Sequence, residues 1–178
     1  RKDGREFPVE VSLNPIGGPD SPIVCAVLRD LTERKRAEAL LADRAAFLAA
    51  LVDSIPYPLF VKDAEGRFVN CNRAYERAFG ISRESLLGKT VLEVDYLPQE
   101  DRLRFHESGM EVIRAGAPRS AELPIRYADG ELHITLYSQD GFRLADGSPG
   151  GMIGLLVDIS DRKRQQEKLA EEEERSRL

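Results

Sequence analysis

Apolar and polar positions alternate at the start of the chain: Phe7, Val9, Val11 and Leu13 are separated by polar residues or proline, "GGPDSP" follows, and Ile23 to Leu28 is almost continuously apolar. This predicts a β-hairpin turning at 17–22. Two strands alone do not bury a core. From Thr32 the chain becomes charged and rich in Ala and Leu, with Leu41, Ala45, Leu48, Val52 and Ile55 at alternating steps of four and three. That spacing is a heptad seam on a helix over Glu33 to Asp53, roughly 30 Å long. The seam lasts only about two heptads, short for an independent coiled coil, so it is expected to pair with a second copy of itself when folded domains hold the ends. The prolines in Ile55 to Pro58 end the helix.

"LFVKDAEGRFVNCN" then reads as two short strands around an Asp-Ala-Glu-Gly turn. Asn72 is placed to cap a helix over "RAYERAF" that Gly80 can end, and Ser82 to cap "RESLL", closed by Gly88. Pro98 opens a longer helix running to Arg114. On its wheel Leu103, Phe105, His106, Gly109, Met110, Val112 and Ile113 share a broad arc. Three strands follow: Ala121, Leu123, Ile125 and Tyr127 alternate with polar positions, Leu132, Ile134 and Leu136 do likewise, and Met152 to Ile159 is mostly apolar. On that phase His133 faces the other side of the sheet, toward solvent or a flanking helix. A last helix starts at Ser160. Strands, helices, strands and a final helix predict an α+β fold: one five-stranded antiparallel sheet with helices on one face, flanked by long connecting helices.

The chain writes one junction twice, "DLTERKRAE" from Asp30 and "DISDRKRQQ" from Asp158. The preceding strands echo each other as well, "KDGREFPVEVSLNPI" against "ADGELHITLYSQDGF". Residues 1–31 therefore read as the last two strands of a preceding domain, and "RKDGREF" without an initiating Met reads as a piece of a longer chain. At each junction Thr32 or Ser160 is expected to cap the helix, with Glu33 or Asp161 at its positive end. Asp30 or Asp158 is then expected to pair with Arg34 or Arg162, four residues on; the alternative is a pair of ordinary caps with solvated charges.

The net charge is -5, with 26 basic and 31 acidic residues intermixed, so no basic face points to nucleic acid. Cys25 and Cys71 lack partners at metal-ligand or disulfide-framework spacing, so a reducing cytoplasm is the expected compartment. No run of about 18 apolar residues is present; a membrane anchor of the parent protein would lie outside these residues. A catalytic reading would have to use His106 with Glu107, Asp101 or Asp95, and no nucleophile or phosphate loop accompanies them. No catalytic or metal residue is assigned.

"KDAEGRFVNCNRAYERAFG", then "SRESLLGKT", then "GAP", then "VDISDRKR", in this order, resemble the PAS sensor domains of bacterial signalling proteins. The resemblance covers Ile55 to Ser160 as a complete domain and 1–32 as the tail of another. The organisation expected is a preceding-domain tail (1–31), a connecting helix (32–54), a complete domain (55–159) and the start of an output helix (160–178). The resemblance implies an Asp-Ile-Thr type motif coupling the last strand to an output helix. Here it consists of Asp30, Leu31 and Thr32, and of Asp158, Ile159 and Ser160; Arg34 and Arg162 join the signal-coupling set through the four-residue spacing above. It also implies a pocket between sheet and helices, for which Phe60, Phe68, His106, Met110, Tyr127 and Leu136 are the candidates; with Tyr57 and Tyr137, the aromatics among them either line a pocket or fill the core. His106 is a possible axial haem ligand, a contact to another ligand, or a structural histidine. Flavin-binding members resemble one another through an Asn-Cys-Arg-Phe-Leu-Gln run, which is absent around Cys71. The cofactor stays open, including none. The implied function is sensing of a small ligand or redox cue, or dimerisation through the connecting helices, relayed to an output domain of the same chain. A histidine kinase is the first expectation for that output and a cyclic-dinucleotide enzyme the second; the rival is a ligand-free spacer.

Overall fold

The computed structural model describes residues 4, 6–16 and 23–176, which fall into two units that divide between residues 51 and 52. In the first, β1 (Val9–Ile16) and β2 (Ile23–Asp30) pair antiparallel from Val9↔Asp30 to Ile16↔Ile23. The turn expected at 17–22 lies outside the described residues. Val11, Leu13, Val24 and Leu28 are exposed, because a two-stranded ribbon has no second layer to cover them. The helix α1 (Thr32–Ser54) has no buried residue, and Leu41 and Leu48 of the seam lie open.

The second unit runs β3 (Leu59–Asp63), β4 (Phe68–Cys71), α2 (Arg73–Phe79), α3 (Arg83–Leu86), a 3₁₀ turn at Val91–Glu93, α4 (Gln99–Ala115), β5 (Arg119–Arg126), β6 (Leu132–Arg143), β7 (Pro149–Asp158) and α5 (Ser160–Ser176). The sheet order is β4-β3-β7-β6-β5, with every neighbour antiparallel. Local signals set the boundaries. Asn72 Oδ1 accepts from the Tyr75 amide, and Gly80 ends α2 at φ 65°; Gly116 ends α4 in the same way. The core between sheet and helices is aromatic: Phe60 meets Phe68 edge-on at 5.4 Å and Tyr75 at 5.5 Å, and Tyr137 meets Phe105 at 5.5 Å.

The fold class is as the alternation predicts, but the phase of β6 is inverted. Thr135, Tyr137 and Gln139 are the buried set, whereas Leu132 is exposed and Ile134 and Leu136 are only half-buried. A polar residue is buried on this face because it is satisfied: the Gln139 amide donates to the Tyr137 hydroxyl at 3.0 Å and accepts from Ser108 of α4 at 2.6 Å. On α4 the buried stripe is Phe105, Gly109, Val112 and Ile113, and Leu103 is exposed.

Candidate functional site

The second unit encloses a cavity lined by aromatic and aliphatic side chains, among them Phe60, Phe68, Tyr75, Tyr137 and Leu156, together with Lys62. About 20 Å³ is left for the centre of a water-sized body, more than one water needs. Of the residues named as pocket candidates, Phe60 and Phe68 line the cavity. Four other candidates do not. His106 is half-buried on the flank of α4, one residue and therefore about 100° round the helix from Phe105. Met110 packs at the edge of the core, close to Gly66. Tyr127 packs on Phe79 at 5.2 Å and stacks on His133 at 4.4 Å. Leu136 leaves the pocket with the inverted phase of β6, and Tyr137 replaces it. With His106 off the lining, these residues present no axial imidazole to a haem. Among the described residues no cluster of His, Cys, Asp or Glu could hold a metal ion. Burial pushes the Cys71 thiol up, away from thiolate chemistry.

Two residues beyond the cavity, β7 passes into α5. The Ser160 backbone N–H and hydroxyl donate to Asp158 Oδ1 at 2.9 and 2.6 Å. The Ile134 N–H donates to Ser160 Oγ at 2.9 Å, and the Ile159 N–H donates to the Ile134 carbonyl at 2.8 Å. The cap is therefore the aspartate, and the serine hydroxyl ties the start of α5 to β6 instead of capping the next turn. The first junction repeats the geometry, with the Thr32 N–H and hydroxyl on Asp30 Oδ1 at 2.8 and 2.5 Å and the Leu31 N–H on the Pro8 carbonyl at 2.9 Å. Pro8 stands where Ile134 does and has no N–H, so the extra strap to the hydroxyl exists only at the second junction.

The expected aspartate-to-arginine links give way to other partners. Arg162 lies 3.8 Å from Glu122 on β5, beside a 2.5 Å Lys163–Glu122 pair, and Arg34 turns to Glu38 at 2.8 Å. Asp158 is held on its other side by His133, which the alternation had placed with solvent or a flanking helix. His133 Nδ1 lies 2.6 Å from Asp158 Oδ2, and Nε2 lies 2.8 Å from Asp129 Oδ2. Both ring nitrogens face carboxylates, a geometry that an imidazolium satisfies fully and a neutral ring only once. The repeat held the signal for this residue: it aligns with Phe7 and precedes Ile134, the partner of the junction.

Desolvation lowers the His133 pKa, but its hydrogen bonds to Asp158 and Asp129 outweigh that and leave it raised. Desolvation also opposes ionisation of Asp158, yet the two bonds from Ser160, and then His133, hold its carboxyl below the usual range. The Glu131 amide, then His133, does the same for Asp129. The raised histidine contributes stability below its unfolded pKa and loses it as pH rises through the folded value. The depressed aspartates contribute above their unfolded pKa and lose it as pH falls through the folded ones. Both contributions are complete between roughly pH 4 and 6.5. The difference in melting temperature between the native chain and His133→Gln is therefore expected to be largest near pH 5.5 and to shrink by pH 8.5. A difference that stays constant across that range would rule out a charged His133 as the source.

Cavity and junction share their strands. Tyr137 and Leu156, both lining the cavity, are cross-strand partners, and the pair one alternation further along is Thr135 and Asp158.

A family model described as "PAS fold" matches residues 52–164, and one described as "PAS domain" matches 1–33. The virulence sensor protein BvgS of Bordetella pertussis is 32% identical over 151 residues, 82% of this chain and 12% of that protein. The two-component sensor PprA of Pseudomonas aeruginosa is 26% identical over 173 residues, 96% of this chain and 18% of that protein. The chain thus spans only 12% and 18% of the length of these relatives. Among solved structures, the PAS domain from Bordetella pertussis BvgS has a TM-score of 0.61 at 28% identity, covering 74% of this chain and 98% of that one. The PAS domain of an HTR-like protein from Haloarcula marismortui has a TM-score of 0.53 at 25% identity, covering 70% and 99%.

Proposed function

The chain belongs to the PAS family, and from that premise we propose that its second unit is a sensor module whose cavity state is relayed through β6 and β7 to α5, and from there to an output domain. What supports this reading most is the adjacency of two pairs: Tyr137–Leu156 lines the cavity, and Thr135–Asp158 opens the junction. A small change in the spacing of the first pair reaches the second along two hydrogen-bonded strands. Ser160 and Ile134 then convert strand position into the angle at which α5 leaves. Two packings of the outgoing helix against a second copy would supply the bistable element that a switch requires. Pairing of α1 with its own copy is part of the same proposal. Leu40, Leu41 and Leu48, each more than half exposed, support it. A histidine kinase is the proposed output, in keeping with the two-component sensor among the relatives.

The test is Asp158→Ala in a full-length sensor carrying this chain. The expected result is loss of the signal-dependent change in output at unchanged protein abundance. An unchanged response at normal abundance would remove the relay. The second reading, a ligand-free spacer, draws on the small size of the cavity. It predicts dimerisation without any ligand response.

A further inference from the structure

We propose that the cavity is a receptor for a small anionic ligand of the carboxylate class, with the Lys62 ammonium as its counter-ion. The inference rests on the sensor reading above and names what that sensor takes.

β3 is an interior strand, between β4 and β7. Its alternation turns Phe60 and Lys62 to the same, inner face. Lysine is among the residues least often fully buried, and Lys62 is 3% exposed, on a cavity wall. Its ammonium sits 4.5 Å from the centre of the Phe68 ring and 5.2 Å from that of Phe60. Among the described residues these ring faces are its partners, and no carboxylate accompanies it. Ring faces compensate a buried cation only in part. Desolvation accordingly pushes Lys62 down to about 8, so at neutral pH the amine is still mostly charged and lacks an anion.

The rest of the lining agrees on the sign of the missing charge. The other titratable groups on the wall, Tyr75 and Tyr137, are pushed up by burial and stay protonated. The Tyr137 hydroxyl accepts from Gln139 at 3.0 Å and keeps its own proton to donate. The Tyr75 and Tyr96 hydroxyls share one hydrogen bond at 2.7 Å, which uses one of their two protons. A cation and hydroxyl donors, set in an apolar wall, complement an acceptor-only anion. A neutral ligand would leave the ammonium unpaired, and a cation would be repelled. The available space confines the occupant to a few heavy atoms.

The experiment uses the 178-residue chain with isotope-labelled lysine side chains and acetate as the probe, with acetamide as its neutral counterpart at matched ionic strength. Acetate is expected to favour the charged form of Lys62 about tenfold more, moving its titration well above pH 8, and to raise the melting temperature. Acetamide should do neither. Lys62→Met, which keeps the stem and removes the charge, should fold and lose the acetate response. An equal response to acetate and acetamide, an acetate response retained in Lys62→Met, or no acetate response at all would each overturn the site. Acetate binding intact in a sensor whose output ignores Asp158→Ala would overturn the relay alone.

Discussion

Asn72→Ala is expected to cost about 3 to 5 kcal/mol of folding stability, read as a fall in the urea midpoint, since each buried group left unsatisfied costs about 1–3 kcal/mol. The side chain is fully buried and joins three segments. Its Oδ1 accepts from the Leu59 amide at 3.0 Å and the Tyr75 amide at 2.9 Å. Its amide donates to the carbonyls of Val52 and Ile55 at 3.2 Å and of Tyr57 at 2.9 Å. Alanine offers none of these groups a partner, so the end of α1, the start of β3 and the first turn of α2 lose their tie together. Asn72→Asp separates the two halves of the role. The acceptor survives, but a carboxylate then faces three carbonyls, so a loss of similar size is expected. A cost under about 1 kcal/mol for either variant, the size of one ordinary hydrogen bond, would contradict the account.

Gly151→Ala is the second large effect, at about 3 kcal/mol or more. Gly151 has φ 141°, which side-chain-bearing residues rarely adopt, and a Cβ there would collide with the Lys62 carbonyl oxygen. That obstacle is backbone in a paired strand, since Gly151 stands opposite Asp63, and so cannot rotate away. Relief would have to come from separating β7 from β3 at the edge of the cavity. Gly147→Ala is the control. Its φ is 83° and nothing surrounds the added carbon, so only the conformational strain remains, about 1 kcal/mol. Equal losses for the two would show that strain alone, and not the approach to Lys62, sets the cost.

The elements that sequence resolves best here are those with punctuation. Asn72 before "RAYERAF" and the glycines after α2 and α4 announce helix ends, and they end them. Phe60 and Phe68 were legible because they lie in short strands on either side of a tight turn. β6 was not, because apolar residues occur on both its faces near the junction, and alternation alone does not say which face meets the helices. That ambiguity displaced Leu136 from the cavity and hid His133. Lys62 shows the opposite failure. Its position in phase with Phe60 was plain, but charge suggests a surface residue, and only the burial of the strand's inner face overrides it. The repeat itself drew attention to the aspartates of the two junctions, each of which accepts from the residue two positions on. Their partners were not legible, because an i to i+4 rule for helix faces does not hold for a carboxylate that precedes the helix and turns back to its own cap.

The central claim is that the cavity and the base of α5 are joined through β6 and β7, and amide hydrogen exchange in Leu156→Val tests it most directly. The substitution removes one methylene from the cavity wall and leaves every junction residue in place. The relay predicts that protection of the Ile134 and Ile159 amides, which hold the junction, falls by a larger factor than that of the Asn72 amide, bonded to the Leu59 carbonyl at 3.0 Å. An equal fall at all three amides, the signature of global destabilisation, or unchanged protection at Ile134 and Ile159 would contradict it.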